Sequence, residues 1–203
     1  MASSVTTAFV RKSATLVLLF ITMYYGSNFI AAFRPTNVVA FEWERTIPFV
    51  PALYFVYFSA LLLPFVLLSY FTSELEVAHW AHEMTGAIVT ASLVFLVLPT
   101  SQFGMVGRIA LSGVQICVDI IAGRHNLFPS LHVALSAIIV AHILRHEPRS
   151  SMRLVFIIWL TALVGSTIFT RQHNITDVIG GLAIALAVPR VSRKLFDTLG
   201  RSS

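Results

Sequence analysis

Six long apolar runs, at about residues 14–33, 50–71, 78–98, 128–145, 153–170 and 174–191, constrain this chain more than any other feature of it. Each is close to the roughly 20 apolar residues that a helix needs to cross a bilayer. In hydrocarbon, only helices and closed barrels keep every backbone N–H and C=O paired. With 57% hydrophobic and 11% charged residues, and a mean hydropathy of +0.82, the chain is far from soluble domains, where about a quarter of residues are charged. The expected architecture is all-α: one membrane-embedded domain over residues 1–203, a six-transmembrane-helix bundle. The stretch 109–121 is apolar but short and carries Gln115 and Asp119. It reads as an interfacial helix before the fourth span. The first run outlasts a signal-peptide core of about 7–15 residues, which favours an uncleaved span.

Charge orients the bundle. A net charge of +5 without a basic, aromatic-interleaved stripe excludes nucleic acid as a partner. The single cysteine, Cys117, sits in an apolar run and reads as a packing residue. Of the 14 Lys and Arg, five (Arg34, Arg45, Arg108, Arg124 and Arg171) fall in one set of loops, and the others fall in the opposite set or the termini. The richer side belongs in the cytoplasm. Both termini are then expected inside, and the connections 99–127 and 171–173 outside.

Two motifs meet that outer face: NLFPSLH at 126–132 and TRQHNITD at 170–177. His173 and Asp177 are four residues apart at a helix start and share a face. A carboxylate on one imidazole nitrogen fixes the tautomer and frees the other as a nucleophile or base. The plainer alternative is a hydrogen-bonded pair at an interface. In PSLH, Pro129 suits a first helical turn. The N–H groups around Ser130 and Leu131, with the helix dipole, would make an anion site. His132 lies close behind as a proton donor, although a proline-initiated span explains the same residues. Asn126 suits a cap. Arg171, Arg124 and Arg108 have the planar forks that match phosphoryl oxygens, although each alone could be a snorkelling residue. Together these residues describe phosphoryl transfer through a phosphohistidine, without a cofactor. Metal ligation by His132, His173 and Asp177 is open in principle, but the arginines would repel a cation.

FPSLH, followed about forty residues later by TRQHNITDVIGG, resembles the phosphatidic acid phosphatase type 2/haloperoxidase superfamily. The PSLH variant and the stretch ERTIPFVPALYFVYFSALLLP, from Glu44, are similar to its inositol-phosphorylceramide-synthase-like branch. The resemblance runs over roughly residues 44–190. It implies a six-helix bundle that binds a lipid phosphate. His173 would attack phosphorus, Asp177 would orient it, and His132 would protonate the leaving oxygen. Ser130 and the backbone at Leu131 would hold phosphate oxygens. The family's first motif, lysine followed by Arg-Pro, has no counterpart: the only lysines are Lys12 and Lys194, and the only Arg-Pro is Arg34-Pro35. Arg108 stands in for that motif, and Arg171 for the arginine of the third.

Three more polar groups, His79, His82 and Glu83, open the third run and read as interfacial packing on the cytoplasmic side. Asn174-Ile175-Thr176 matches a glycosylation sequon. A glycan there would block the site, which points to a bacterial inner membrane. The rival to a lipid-phosphate phosphatase or phosphotransferase is a non-catalytic subunit of the same fold that holds a membrane-protein partner. A haloperoxidase ranks last.

Overall fold

The computed structural model describes the backbone of residues 2–101 and 125–200 and the side chains of 3–101 and 125–194. The expected interfacial helix at 109–121, Arg108, Arg124 and Cys117 lie outside the described residues. The described elements are helical, apart from isolated bridges that join Asn37 and Asn126 to Thr100.

α1 (Ala2–Phe20) runs through one π-helical turn, Ile21–Tyr25, into α2 (Gly26–Ala31). The helix thus begins well before its apolar run, because Arg11 and Lys12 lower hydropathy without breaking helical geometry. The π-turn accompanies an extra use of a carbonyl. Tyr24 O accepts from Asn126 Nδ2 at 2.7 Å and from Ser27 Oγ at 2.9 Å, as π-bulges often allow. The second span, Pro51–Leu68, is discontinuous: α3 (Tyr54–Phe58), a 3-10 turn (Ser59–Leu62) and α4 (Leu63–Leu68). Pro64 explains the break, since it lacks an N–H and its ring crowds the carbonyl four residues earlier. Trp159 Nε1 donates to Ser59 Oγ at 2.7 Å beside the break.

α5 (Glu74–Val97) starts where Ser73 accepts from Glu76 N–H, with Glu74 and Glu76 in the positive first turn. Its buried positions Val77, Trp80, Met84, Ala87, Ile88, Ala91 and Phe95 recur at helical spacing. They pack on α1, on α6 (Leu131–His146) and on α8 (Ile175–Gly200); α7 (Ser150–Phe169) packs on α3 and α6. Among the described residues, five segments are long and apolar enough to span a membrane. α6 is the exception: its 16 residues rise only about 24 Å at 1.5 Å per residue. The chain is an integral membrane protein.

The bundle has a basic end. Phe9 stacks on Trp80 and Tyr24 meets Phe95 edge-on, so α1 runs parallel to α5. Arg11 and Lys12 therefore share an end with the start of α5, the close of α6 at Arg145, and Arg193 on α8.

At this end Glu147 ties the α6–α7 turn to the α4–α5 turn. Its oxygens accept from Arg149 N and Nε at 2.9 Å, from Arg149 Nη2 at 3.1 Å and from Tyr70 OH at 2.6 Å. The hydrogen bonds from Arg149, then that from Tyr70, hold its carboxyl at about 2, below its ordinary value of 4.5. A depressed carboxyl stabilises the fold fully above the unfolded value and loses that contribution as pH falls through the folded one. Thermal melts should therefore drop between about pH 4.5 and pH 2. Glu147→Gln should melt a few degrees lower at neutral pH and show a shallower acid drop; parallel acid profiles would refute this role.

Candidate active site

Three local devices place the polar residues at the other end of the bundle. The first closes α7. Gln172 N donates to Thr167 O at 2.9 Å and Arg171 N to Ile168 O at 2.9 Å, with Arg171 at φ 55°. This is a Schellman closure, whose left-handed position normally favours glycine. His173 N also donates to Thr167 O, at 3.0 Å. His173 is thus held one short turn beyond the helix end.

The second device opens α8. Asn174 is its N-cap residue, and Asp177 Oδ2 reaches back to accept from Asn174 N–H at 2.8 Å, half of a capping box. The same oxygen faces His173 Nδ1 at 3.6 Å, with Asp177 1% exposed. Asp177 Oδ1 and His173 Nδ1 have no hydrogen-bond partner among the described residues. A buried carboxylate and an imidazole this close tighten readily when substrate arrives, since catalytic hydrogen bonds are often long without it. The geometry leaves Nε2 of His173 free of the carboxylate.

The third device docks the two motifs. The Phe128–Pro129 peptide is cis, Ser130 N donates to Asp177 O at 2.9 Å, and Ser130 Oγ caps α6 by accepting from Val133 N at 3.3 Å. Glycines make the fit possible: a Cβ at Gly180 would lie 2.9 Å from Pro129 Cβ, and one at Gly181 would collide with the Ser130 carbonyl. His132 stacks flat on Tyr57, with centroids 4.1 Å apart and planes at 9°, and its Nε2 is buried without a hydrogen-bond partner among the described residues. Ser130, two residues before it, donates its N–H to the Asp177 carbonyl, so the start of α6 that carries His132 lies against the start of α8.

The structure therefore brings together Ser130, Leu131, His132, His173 and Asp177. Arg171 borders them, with Nη2 donating to Ile47 O at 3.0 Å. Arg34 is engaged by the Leu96 carbonyl. Asn126 ties its loop to Tyr24 and Ser27 rather than capping a turn.

A family described as the PAP2 superfamily matches residues 35–190 of this sequence. The chain belongs to the PAP2 superfamily. No curated protein and no solved structure matches it. PAP2 superfamily members are phosphatases and phosphotransferases, so the chain belongs to that general class of enzyme.

Two neighbours of this PAP2 site lie in the stretch from Glu44 that the sequence marked only as a whole, with no role for either residue. Glu44, buried, accepts from Ile175 N–H at 2.9 Å through Oε2 and from Phe41 N–H at 2.9 Å through Oε1. It fastens the 37–47 segment to the start of α8. Tyr57 was one aromatic among many in an apolar run. The fold sets its ring, from α3, against His132.

Proposed function

We propose that this protein is a lipid-phosphate phosphatase or phosphotransferase, of the inositol-phosphorylceramide-synthase-like kind, that works through a phosphohistidine without a metal. Its six spans would place both termini in the cytoplasm, with the site at the outer face of a bacterial inner membrane. The observation that carries this reading is the docking of the PSLH turn on the His173–Asp177 helix start, within a PAP2 chain.

In the first half-reaction His173 Nε2 attacks phosphorus. The N–P bond forms as the P–O bond to the leaving alcohol or diphosphate breaks, and His132 gives its proton to the departing oxygen. In the second, His132 takes a proton from water or a lipid hydroxyl. That oxygen attacks phosphorus, and the N–P bond breaks. Asp177 holds Nδ1 and stabilises the positive charge that His173 gains on phosphorylation. The phosphoryl oxygens would rest against Leu131 and the capped turn at Ser130, with Arg171, Arg124 and Arg108 supplying charge.

The experiment is phosphate release from a panel of lipid phosphates by protein in uncharged detergent, with rapid quenching to trap an acid-labile, alkali-stable phosphoprotein. Release together with that species supports the reading. A protein that neither releases phosphate nor becomes labelled, and that co-purifies with a membrane-protein partner, would support the scaffold reading instead.

Arg171 offers a separate check. Glycine is the inexpensive residue at a left-handed position, where a side chain costs about 1 kcal/mol. An arginine there calls for a functional reason. Arg171→Gly should melt at or slightly above the wild-type temperature yet lose about 100-fold in kcat, the scale expected for removing one donor to transition-state charge. Unaltered turnover would remove Arg171 from the cradle.

A further inference from the structure

At the basic end of the bundle a second polar cluster joins three helices. Glu83 of α5 is 1% exposed. Its Oε2 meets His142 Nε2 of α6 at 2.9 Å, and its Oε1 accepts from Arg193 Nε of α8 at 3.0 Å. Beside it opens a cavity of about 220 Å³, also bordered by Glu76, Arg145 and His146, several times the roughly 30 Å³ of a water molecule in the liquid. His142 lies ten residues along α6 from His132, so the cavity is about 15 Å from the chemistry at 1.5 Å per residue.

The two carboxylates that border this cavity, Glu76 and Glu83, are already committed. Both oxygens of Glu83 are taken by His142 and Arg193. Glu76 spends its carboxylate on the amide and hydroxyl of Thr72 at 2.8–3.1 Å. That leaves Arg145, which has no carboxylate within ion-pair distance among the described residues and borders the cavity together with Arg193. Arg193 hydrogen-bonds Glu83 through Nε alone. The negative end of α6 accounts for basic residues in its last turn, but not for a second arginine, from α8, lining the same cavity. Among the described residues no group of three His, Cys, Asp or Glu could hold a metal ion. The donors left over are arginine forks, which match tetrahedral oxyanions.

We propose that this cavity is a second binding site, distinct from the one at His173, for a phosphate-type oxyanion held between Arg145 and Arg193. The oxyanion is the phosphate of an anionic lipid headgroup on that side of the membrane or free inorganic phosphate. It neutralises Arg145, adds to the hydrogen bonding of Arg193 beside Glu83, and fastens α6 to α8. The basic end of the bundle, with Arg11 and Lys12 on the neighbouring α1, is where anionic lipid collects.

The test measures melting of wild-type, Arg145→Gln and Arg145→Lys proteins. One arm titrates inorganic phosphate against chloride at constant ionic strength; the other compares nanodiscs of phosphatidylglycerol with nanodiscs of phosphatidylcholine. Since Arg145 makes no ion pair among the described residues, both variants should melt like the wild type in chloride and phosphatidylcholine. Phosphate or phosphatidylglycerol should raise the wild-type melting temperature. Arg145→Gln should weaken the apparent Kd for that probe by about tenfold, as for loss of charge-assisted hydrogen bonds. Arg145→Lys, which keeps charge but not the fork, should fall between. A response to phosphate alone identifies the free anion; a response to phosphatidylglycerol alone identifies the headgroup. Any phosphate held near His173 contributes equally to all three proteins, so the differences report this cavity alone. A wild type that responds to neither probe overturns the proposal, as does an Arg145→Gln response equal to the wild type's.

Discussion

His173→Ala protein should extract and melt like the wild type while losing about four to six orders of magnitude in lipid-phosphate turnover, the scale seen when a covalent nucleophile is removed. The fold should tolerate the change because the backbone N–H of His173, and not its ring, is bonded to Thr167 O. Its ring nitrogen Nδ1 has no hydrogen-bond partner among the described residues to lose. No acid-labile phosphoprotein should form. Asp177 separates two roles that one alanine variant would confuse. Asp177→Asn keeps an oxygen for the Asn174 N–H and so keeps the helix start. It removes the charge facing Nδ1, and turnover should fall by about 10²–10⁴-fold. Asp177→Ala should lose the same activity and about 1 kcal/mol of stability besides, as for a missing cap. Phosphate release by His173→Ala at the wild-type rate would end the phosphohistidine reading.

Much of this was legible in the sequence where a short-range rule decides the outcome. Apolar runs of membrane length announced the helices, and a four-residue interval put His173 beside Asp177. Pro129 and Ser130 marked the start of α6, and the family resemblance rested on the same residues that the fold brings together. The sequence was mute where partners come from distant segments. Glu83 looked like a neighbour of His79 and His82 on one helix. It is satisfied instead by His142 and Arg193, 59 and 110 residues away. Glu44 is claimed by Ile175 N–H, 131 residues away, and no local pattern encodes that. Ser130 shows a third kind of limit. Its hydroxyl was read as a phosphate ligand, yet it is also the cheapest cap for α6, and the cap is where the hydroxyl stands.

The contact that makes one site out of two motifs involves no catalytic side chain, and it yields the second large prediction. Ser130 N–H reaches the Asp177 carbonyl only because α8 presents Gly181 there. Gly181→Ala would drive a methyl group into the Ser130 carbonyl and bring it to 3.1 Å from Val133 Cβ. The first obstacle is backbone and cannot rotate away. Alanine gains about 1 kcal/mol over glycine in helix propensity, while overpacking a close contact costs about 1–3 kcal/mol. The net effect is a modest loss of stability, relieved by sliding the start of α6 away from α8. That slide separates His132 from His173, and a misplacement of about 1 Å costs about 100-fold in rate. Gly181→Ala should therefore remain folded with kcat down about 100-fold, and Gly181→Val should be worse on both counts. Gly165 supplies the control: it is also helical, but a Cβ there would meet nothing within 4 Å. Gly165→Ala should leave turnover unchanged and stability level or slightly higher. If Gly181→Ala turned over as fast as Gly165→Ala, the two imidazoles would not depend on this docking, and the site would have to be built another way.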